Sequence, residues 1–288
     1  MAKAAIKIFR QNANVFVQRV TSDKFSAAEP DTLAIEEPLE IRVGLGKKHR
    51  AISITMRTPS NDAELAAGFL FTEGILHSPS QIKNIKHCGK FPNNQNTIRV
   101  DLAENVEIDF KKLERNFYTT SSCGVCGKSS LEALKVANAM PIEQNNSLKL
   151  YAEIIHKLPE KLRESQTVFD ETGGLHAAAL FDFEGNLIDL KEDVGRHNAV
   201  DKLIGKQFLD NNLPLSDKIL FLSGRASFEL IQKAVMAQIP FVCAVGAPSS
   251  LAVEAAREFN VTLLGFVREN RFNIYSSEFR LYKSAQFL

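Results

Sequence analysis

HAAALFDF at residues 176–183 and NLIDLKEDV at 186–194, then NAVDKLIGKQFL at 198–209, KILFLSG at 218–224, SFELIQKAVMAQI at 227–239, FVCAVG at 241–246, LAVEAAREF at 251–259 and VTLLGFV at 261–267, carry the reading of the fold. The first two are strand-like runs joined by the turn Glu184-Gly185-Asn186. After them, stretches with helical spacing alternate with short apolar runs, so the order is hairpin, helix, strand, helix, strand, helix, strand. That rhythm predicts α/β units around a mostly parallel sheet.

Upstream the rhythm is different. Leu39 to Val43 and Ala51 to Met56 alternate in polarity and flank the turn-like Gly44-Leu45-Gly46-Lys47-Lys48, which predicts a hairpin. Thr58-Pro59-Ser60-Asn61-Asp62 supplies turn and capping residues ahead of AELAAGFLFTEGIL, whose Leu65, Phe69 and Ile75 share one helical face, with Gly74 near the end. Short strand-like runs follow from Ile82 to Val106. This part reads as a small α+β domain.

Between the two lies the sharpest composition shift in the chain, TTSSCGVCGKSS at 119–130, nearly all small or polar. It predicts an exposed, mobile loop that runs into a helix over LEALKVANAM. The resulting division is an α+β domain over 1–118, the cysteine loop and its helix over 119–150, and an α/β domain over 151–288.

Composition narrows the function classes. With 288 residues, 44% apolar and 24% charged, the chain is an ordinary globular protein long enough for two domains. Thirty-five Lys and Arg against 34 Asp and Glu leave a formal charge of +1, so the broad positive field of a non-specific nucleic-acid binder is missing. MAKAAIKIFRQNANVFVQRV at the start holds no apolar signal core, and no stretch is long enough to span a bilayer, so the expected location is the cytoplasm with no membrane partner. The four cysteines, Cys88, Cys123, Cys126 and Cys243, are too few for a disulfide scaffold.

Cys123 and Cys126 carry the chemistry. Two thiols at this spacing can form a disulfide, share a metal or pass a sulfur atom. A helix starting near Lys128 would aim its amides at Cys126, and the lysine adds a cation; both favour thiolate. A zinc site needs further ligands, and Cys88, Cys243, His87, His176 and His197 are scattered. A thioredoxin-like module would carry its pair after a first strand. Reactive thiol, zinc site and thiol–disulfide module stay as alternatives on the residues alone.

Several long motifs in order, EEPLEIRV (36–43), MRTPSNDAELAAGFLFTEGI (56–75), SSCGVCGK (121–128), TGGLHAA (172–178), EDVGRHNAVDKLIG (192–205), SGRASFELIQKA (223–234) and GFVRENRFNIYS (265–276), resemble the formate dehydrogenase accessory sulfurtransferases of the FdhD type. The resemblance implies a sulfur carrier that takes persulfide sulfur from a cysteine desulfurase and delivers it to the molybdenum cofactor, molybdenum bis(molybdopterin guanine dinucleotide), before that cofactor enters formate dehydrogenase. It places the persulfide on Cys123 with Cys126 as second thiol, implies a homodimer, and requires no tightly bound catalytic metal of the chain's own. A chaperone that binds the cofactor without moving sulfur is the rival reading.

A guanine dinucleotide client calls for phosphate and GDP-like sites. Ser223-Gly224-Arg225 follows one strand and opens a helix, and Gly246-Ala247-Pro248-Ser249-Ser250 does the same after the next, both being places where phosphates collect. The resemblance adds Phe266, Val267, Arg268, Glu269, Asn270 and Arg271 as the segment meeting the guanine dinucleotide; its arginines suit phosphate oxygens and Glu269 a guanine edge. His197 sits where a helix starts and faces a ligand on this reading, whereas His176 reads as a core or rim residue.

The element order of the last 120 or so residues also looks like the cytidine deaminase fold. A zinc deaminase carries H-x-E and P-C-x-x-C at the starts of its two core helices. The corresponding places read Arg196-His197-Asn198-Ala199 and Ser223-Gly224-Arg225-Ala226. The fold class expected is therefore an α+β N-terminal domain plus a three-layer, mixed-sheet, cytidine-deaminase-like α/β domain without the deaminase zinc.

Overall fold

The computed structural model describes residues 10–46, 48–89, 94–104, 106, 139–143 and 148–282. The described chain begins with a two-stranded antiparallel arm, β1 (Asn12–Val17) against β4 (Glu29–Ala34), prolonged by the short strands β2 (Val20–Thr21) and β3 (Lys24–Phe25). Next come β5 (Glu37–Leu45) and β6 (Lys48–Arg57), the expected hairpin, then α1 (Asp62–Thr72), β7 (Ile82–His87) and β8 (Thr97–Leu102). These strands form a four-stranded sheet in the order β6-β5-β8-β7, with β5 and β8 parallel.

After β9 (Leu150–Tyr151), α2 (Ala152–Ser165) and α3 (Thr167–Thr172), the C-terminal part runs β10 (His176–Phe181), β11 (Leu187–Asp193), α4 (Arg196–Leu209), β12 (Ile219–Leu222), α5 (Phe228–Met236), β13 (Phe241–Ala244), α6 (Ser250–Glu258), β14 (Thr262–Arg268), β15 (Arg271–Ile274) and β16 (Leu281–Tyr282). The main sheet has the order β11-β10-β12-β13-β14-β15. Only β12 with β13 and β13 with β14 pair in parallel, and the other three pairings are antiparallel. The sheet is thus mixed, as the expected fold class has it, with fewer parallel pairings than the helix–strand rhythm suggested: β10 folds back between β11 and β12, and β15 adds an antiparallel edge. The helix expected over LEALKVANAM lies outside the described residues except for Ala139 and Met140.

Alternation along each strand sends side chains to both faces of this sheet. Ala178, Leu180, Leu220, Leu222, Val242, Ala244 and Leu263 join the core shared with α4, α5 and α6. Ala177, Ala179, Phe221, Phe241, Cys243 and Leu264 face Ile155, Leu158 and Leu162 of α2. Both faces being covered explains why ILFL and FVCA read as unbroken apolar runs.

The N-terminal sheet is tied to this body through α1. Leu39, Ile41, Val43, Ile98 and Val100 belong to the same continuous core as Leu65, Leu203 and Leu220. Helices α1 and α4 cross at two glycines: a Cβ at Gly68 would lie 1.9 Å from the Asp201 carbonyl oxygen, and one at Gly205 1.9 Å from that of Glu64. Only bare backbone permits that approach. Around the crossing, buried ion pairs join Lys202 to Asp193 at 2.6 Å and Lys233 to Asp201 at 2.9 Å.

Candidate cofactor-binding site

In open α/β sheets, ligands collect outside the carboxyl ends of the parallel strands, where helices begin. Here β12, β13 and β14 end at one edge, and because β10 is antiparallel to β12 and β11 antiparallel to β10, the start of β10 and the end of β11 arrive there too. His176 at the start of β10 faces Asp193 at the end of β11. That edge therefore gathers His176, the turn before α4, the turn before α5, the turn before α6 and the end of β14.

Hydrogen bonds from backbone amides knit these turns side by side. Ser223 Oγ accepts from Ala177 N at 2.8 Å. Gly246 N donates to Gly224 O at 2.9 Å, and Phe266 N donates to Gly246 O at 3.1 Å. A Cβ at Gly246 would come within 3.0 Å of Arg225 Cα, so glycine keeps the two loops in contact. Ser223-Gly224-Arg225 and Phe266-Val267-Arg268, far apart in sequence, thus flank Gly246 on a single rim. Helix α5 starts at Phe228, three residues beyond Arg225, so Ser223–Arg225 form the strand's exit rather than the first helical turn.

The helix N-termini are capped in different ways. Ser249, the N-cap of α6, accepts from Ala252 N through its side chain, but neither Gly195 before α4, which has none, nor Ser227 before α5 caps its helix through a side chain. Ser227 Oγ instead meets His197 Nε2 at 3.2 Å, and Glu229 lies 3.8 Å from the same nitrogen. The nearby His197 imidazole, with the Ser227 hydroxyl, holds the Glu229 carboxyl low, to about 2. Burial, followed by the charges of Arg196 and His197, lowers the pKa of His176. Arg196 Nε is buried and bonds no acceptor among the described residues. Helix N-termini with adjacent guanidinium groups suit an anion.

The remaining predicted residues divide by exposure. Arg225, Phe266, Arg268, Glu269, Asn270 and Arg271 are exposed, while the Val267 side chain is wholly buried, leaving only its backbone to meet a ligand. Glu269 and Asn270 form the turn between β14 and β15. Arg268 bonds Val245 O and Val267 O, both at 2.8 Å. Phe266 sits in a bulge of the β14–β15 pairing with φ +53°. Ser227, Glu229 and Arg196 are the participants the sequence reading missed. The signals that could have found two of them are the place of Ser227 just ahead of the helix FELIQKAVM and that of Arg196 beside His197.

Cys123, Cys126 and Lys128, with the loop expected to be mobile, lie outside the described residues. Of the other cysteines, Cys243 is fully buried in β13, and burial pushes its thiol well above the ordinary range. Cys88 is half-buried at the end of β7. Among the described residues no group of three or more His, Cys, Asp or Glu side chains could hold a metal ion, and no helix is long and apolar enough to cross a membrane.

Comparison with known proteins adds the following. A family model described as the FdhD/NarQ family matches residues 34–282. A sulfur carrier protein FdhD from Streptomyces avermitilis is 51% identical over 259 residues, covering 88% of this chain and 90% of the relative. Another from Picrophilus torridus is 45% identical over 251 residues, covering 87% of this chain and 92% of that one. A crystal structure of a candidate formate dehydrogenase accessory protein from Desulfotalea psychrophila superposes with a TM-score of 0.73 at 24% identity, covering 95% of this chain and all of that one, so the two share a fold.

Proposed function

The chain belongs to the FdhD/NarQ family, and on that premise we propose that it is a sulfur carrier that relays persulfide sulfur from a cysteine desulfurase to the molybdenum cofactor, molybdenum bis(molybdopterin guanine dinucleotide), for formate dehydrogenase. The observation that carries this reading is half identity, over nearly nine-tenths of the chain, to a sulfur carrier protein. The relay takes place in the cytoplasm, where thiols stay reduced, and the working unit is a homodimer. The C-terminal part, residues 151–288, is read as a deaminase-like unit that has kept the sheet and lost the zinc.

Cys123 thiolate attacks the outer sulfur of the desulfurase persulfide. The donor S–S bond breaks, the donor cysteine leaves as thiolate, and a new S–S bond forms on Cys123 with no net oxidation. Attack by Cys126 on the outer sulfur of that persulfide moves it to Cys126. Attack on the inner sulfur releases sulfide and leaves a Cys123–Cys126 disulfide, which cellular thiols reduce before the next cycle.

The guanine dinucleotide part of the client is held at the sheet edge. The N-termini of α4 and α5, with Arg196, Arg225 and Arg268, receive phosphate oxygens, and the Phe266–Arg271 segment receives the guanine. Support comes from the convergence of these segments on one rim and from the Arg196 Nε, which has no acceptor among the described residues. The test is complementation of a strain lacking its own copy. Cys123→Ala is expected to leave formate dehydrogenase activity at background, whereas full activity with that variant would favour the cofactor chaperone that moves no sulfur.

A further inference from the structure

The turn after β6, within MRTPSNDAE, lies apart from the rim segments in sequence yet is bonded directly to one of them. Asp193 is completely buried, and its carboxylate gathers four donors. Oδ1 accepts from Gly195 N at 2.8 Å and Asn198 Nδ2 at 3.0 Å. Oδ2 accepts from Thr58 N at 3.2 Å and meets Lys202 Nζ at 2.6 Å. Thr58 returns the contact, since its Oγ1 accepts from Val194 N at 3.2 Å and its carbonyl from Lys202 Nζ at 2.8 Å. Asn198 also donates to Met56 O at 2.7 Å and accepts from Thr55 Oγ1 at 3.0 Å.

Two of these bonds fix the amides of Val194 and Gly195, the two residues that deliver Arg196 and His197 to the rim. Gly195 has no side chain with which to cap α4, so Asp193 fixes the turn from outside the helix and leaves the first helical amides uncommitted. The partner turn is itself strained at Ser60, with φ +103°, next to Asn61 in the left-handed region that asparagine tolerates. Side chains with a Cβ hold such angles only where their surroundings impose them, and strain of this kind concentrates at ligand clamps.

We propose that Asp193 and Thr58 are positioning residues for the ligand rim, clamping the Val194–Gly195 turn so that Arg196 and His197 meet an anionic ligand in one geometry. The clamp makes the MRTPSNDAE turn of the N-terminal part a component of a site otherwise built from the C-terminal sheet. This inference rests on the reading of the rim as the guanine-nucleotide site, and its ligand class is the diphosphate of a guanine nucleotide.

Calorimetric titration of the full chain with GDP, alongside amide hydrogen exchange, tests it. Thr58→Val removes the acceptor for Val194 N while keeping the side-chain shape; GDP affinity is expected to fall by about fivefold, the range of one lost hydrogen bond. Exchange at Val194 and Gly195 should quicken. Thr58→Ser, which loses packing but keeps the hydroxyl, is expected to restore both, a rescue that a merely structural role would not give. Wild-type affinity in Thr58→Val, or equal weakening in Thr58→Ser, overturns the proposal. If the wild-type chain binds no GDP, the nucleotide reading of the rim fails by itself; the clamp is then judged on exchange, and unchanged rates at Val194 and Gly195 in Thr58→Val overturn it.

Discussion

Phe266 holds its backbone at φ +53° and is 39% exposed, an arrangement that costs free energy and gains little from burial. A left-handed conformation costs a side chain with a Cβ about 1–2 kcal/mol, and glycine almost nothing. Phe266→Gly should therefore unfold at a midpoint equal to or above that of the wild type, because relief of strain offsets the lost ring contacts, while GDP binding weakens. Thermal unfolding paired with titration checks both halves; lower stability with unchanged binding would make the residue a packing element. At this scale the sequence was informative wherever chemistry is local. The small residues around Cys123 and Cys126 single that stretch out in the sequence without choosing between thiol and metal chemistry, and Arg268 and Arg271 stand out as a basic pair. The contact of His197 with Ser227 joins residues 30 positions apart across two helices, and no local spacing encodes it.

Helices α1 and α4 meet at Gly68 and Gly205, which reverses the usual sign of a glycine substitution. In an exposed helix Gly→Ala stabilises by up to about 1 kcal/mol. At Gly205 the added methyl would sit 1.9 Å from the Glu64 carbonyl oxygen, so the helices must separate. Gly205→Ala is expected to cost about 3 kcal/mol or more, the upper range for overpacking, read from the urea midpoint. An unchanged midpoint would mean that the crossing is loose. The strands and helices from His176 to Arg268 were legible because apolar period and turn residues alternate there without a break. Their directions were not, since alternation is the same for a parallel and an antiparallel strand. Hence β10, inserted between β11 and β12, and β15, paired back on β14 through the tight turn at Glu269 and Asn270, came only from the structure.

Across the whole molecule, one continuous core runs from the N-terminal sheet through α1 and α4 to the main sheet. Buried ion pairs line the same path, from Arg57 with Asp62 to Lys202 with Asp193 and Lys233 with Asp201. Sequence reading separated the two parts by their rhythm but had no signal for the joint, because a helix crossing at glycines leaves no apolar pattern to read. The rim that gathers Arg196, His197, Ser223–Arg225 and Phe266–Arg271 is thereby tied to the N-terminal turn at Thr58. The account depends on sulfur travelling on Cys123, and intact-mass measurement of the full chain after incubation with a cysteine desulfurase and cysteine tests that most directly. The predicted result is a gain of sulfur on Cys123, removed by reductant and abolished by Cys123→Ala. A wild-type chain that gains none, or a Cys123→Ala chain that gains as much, would contradict it.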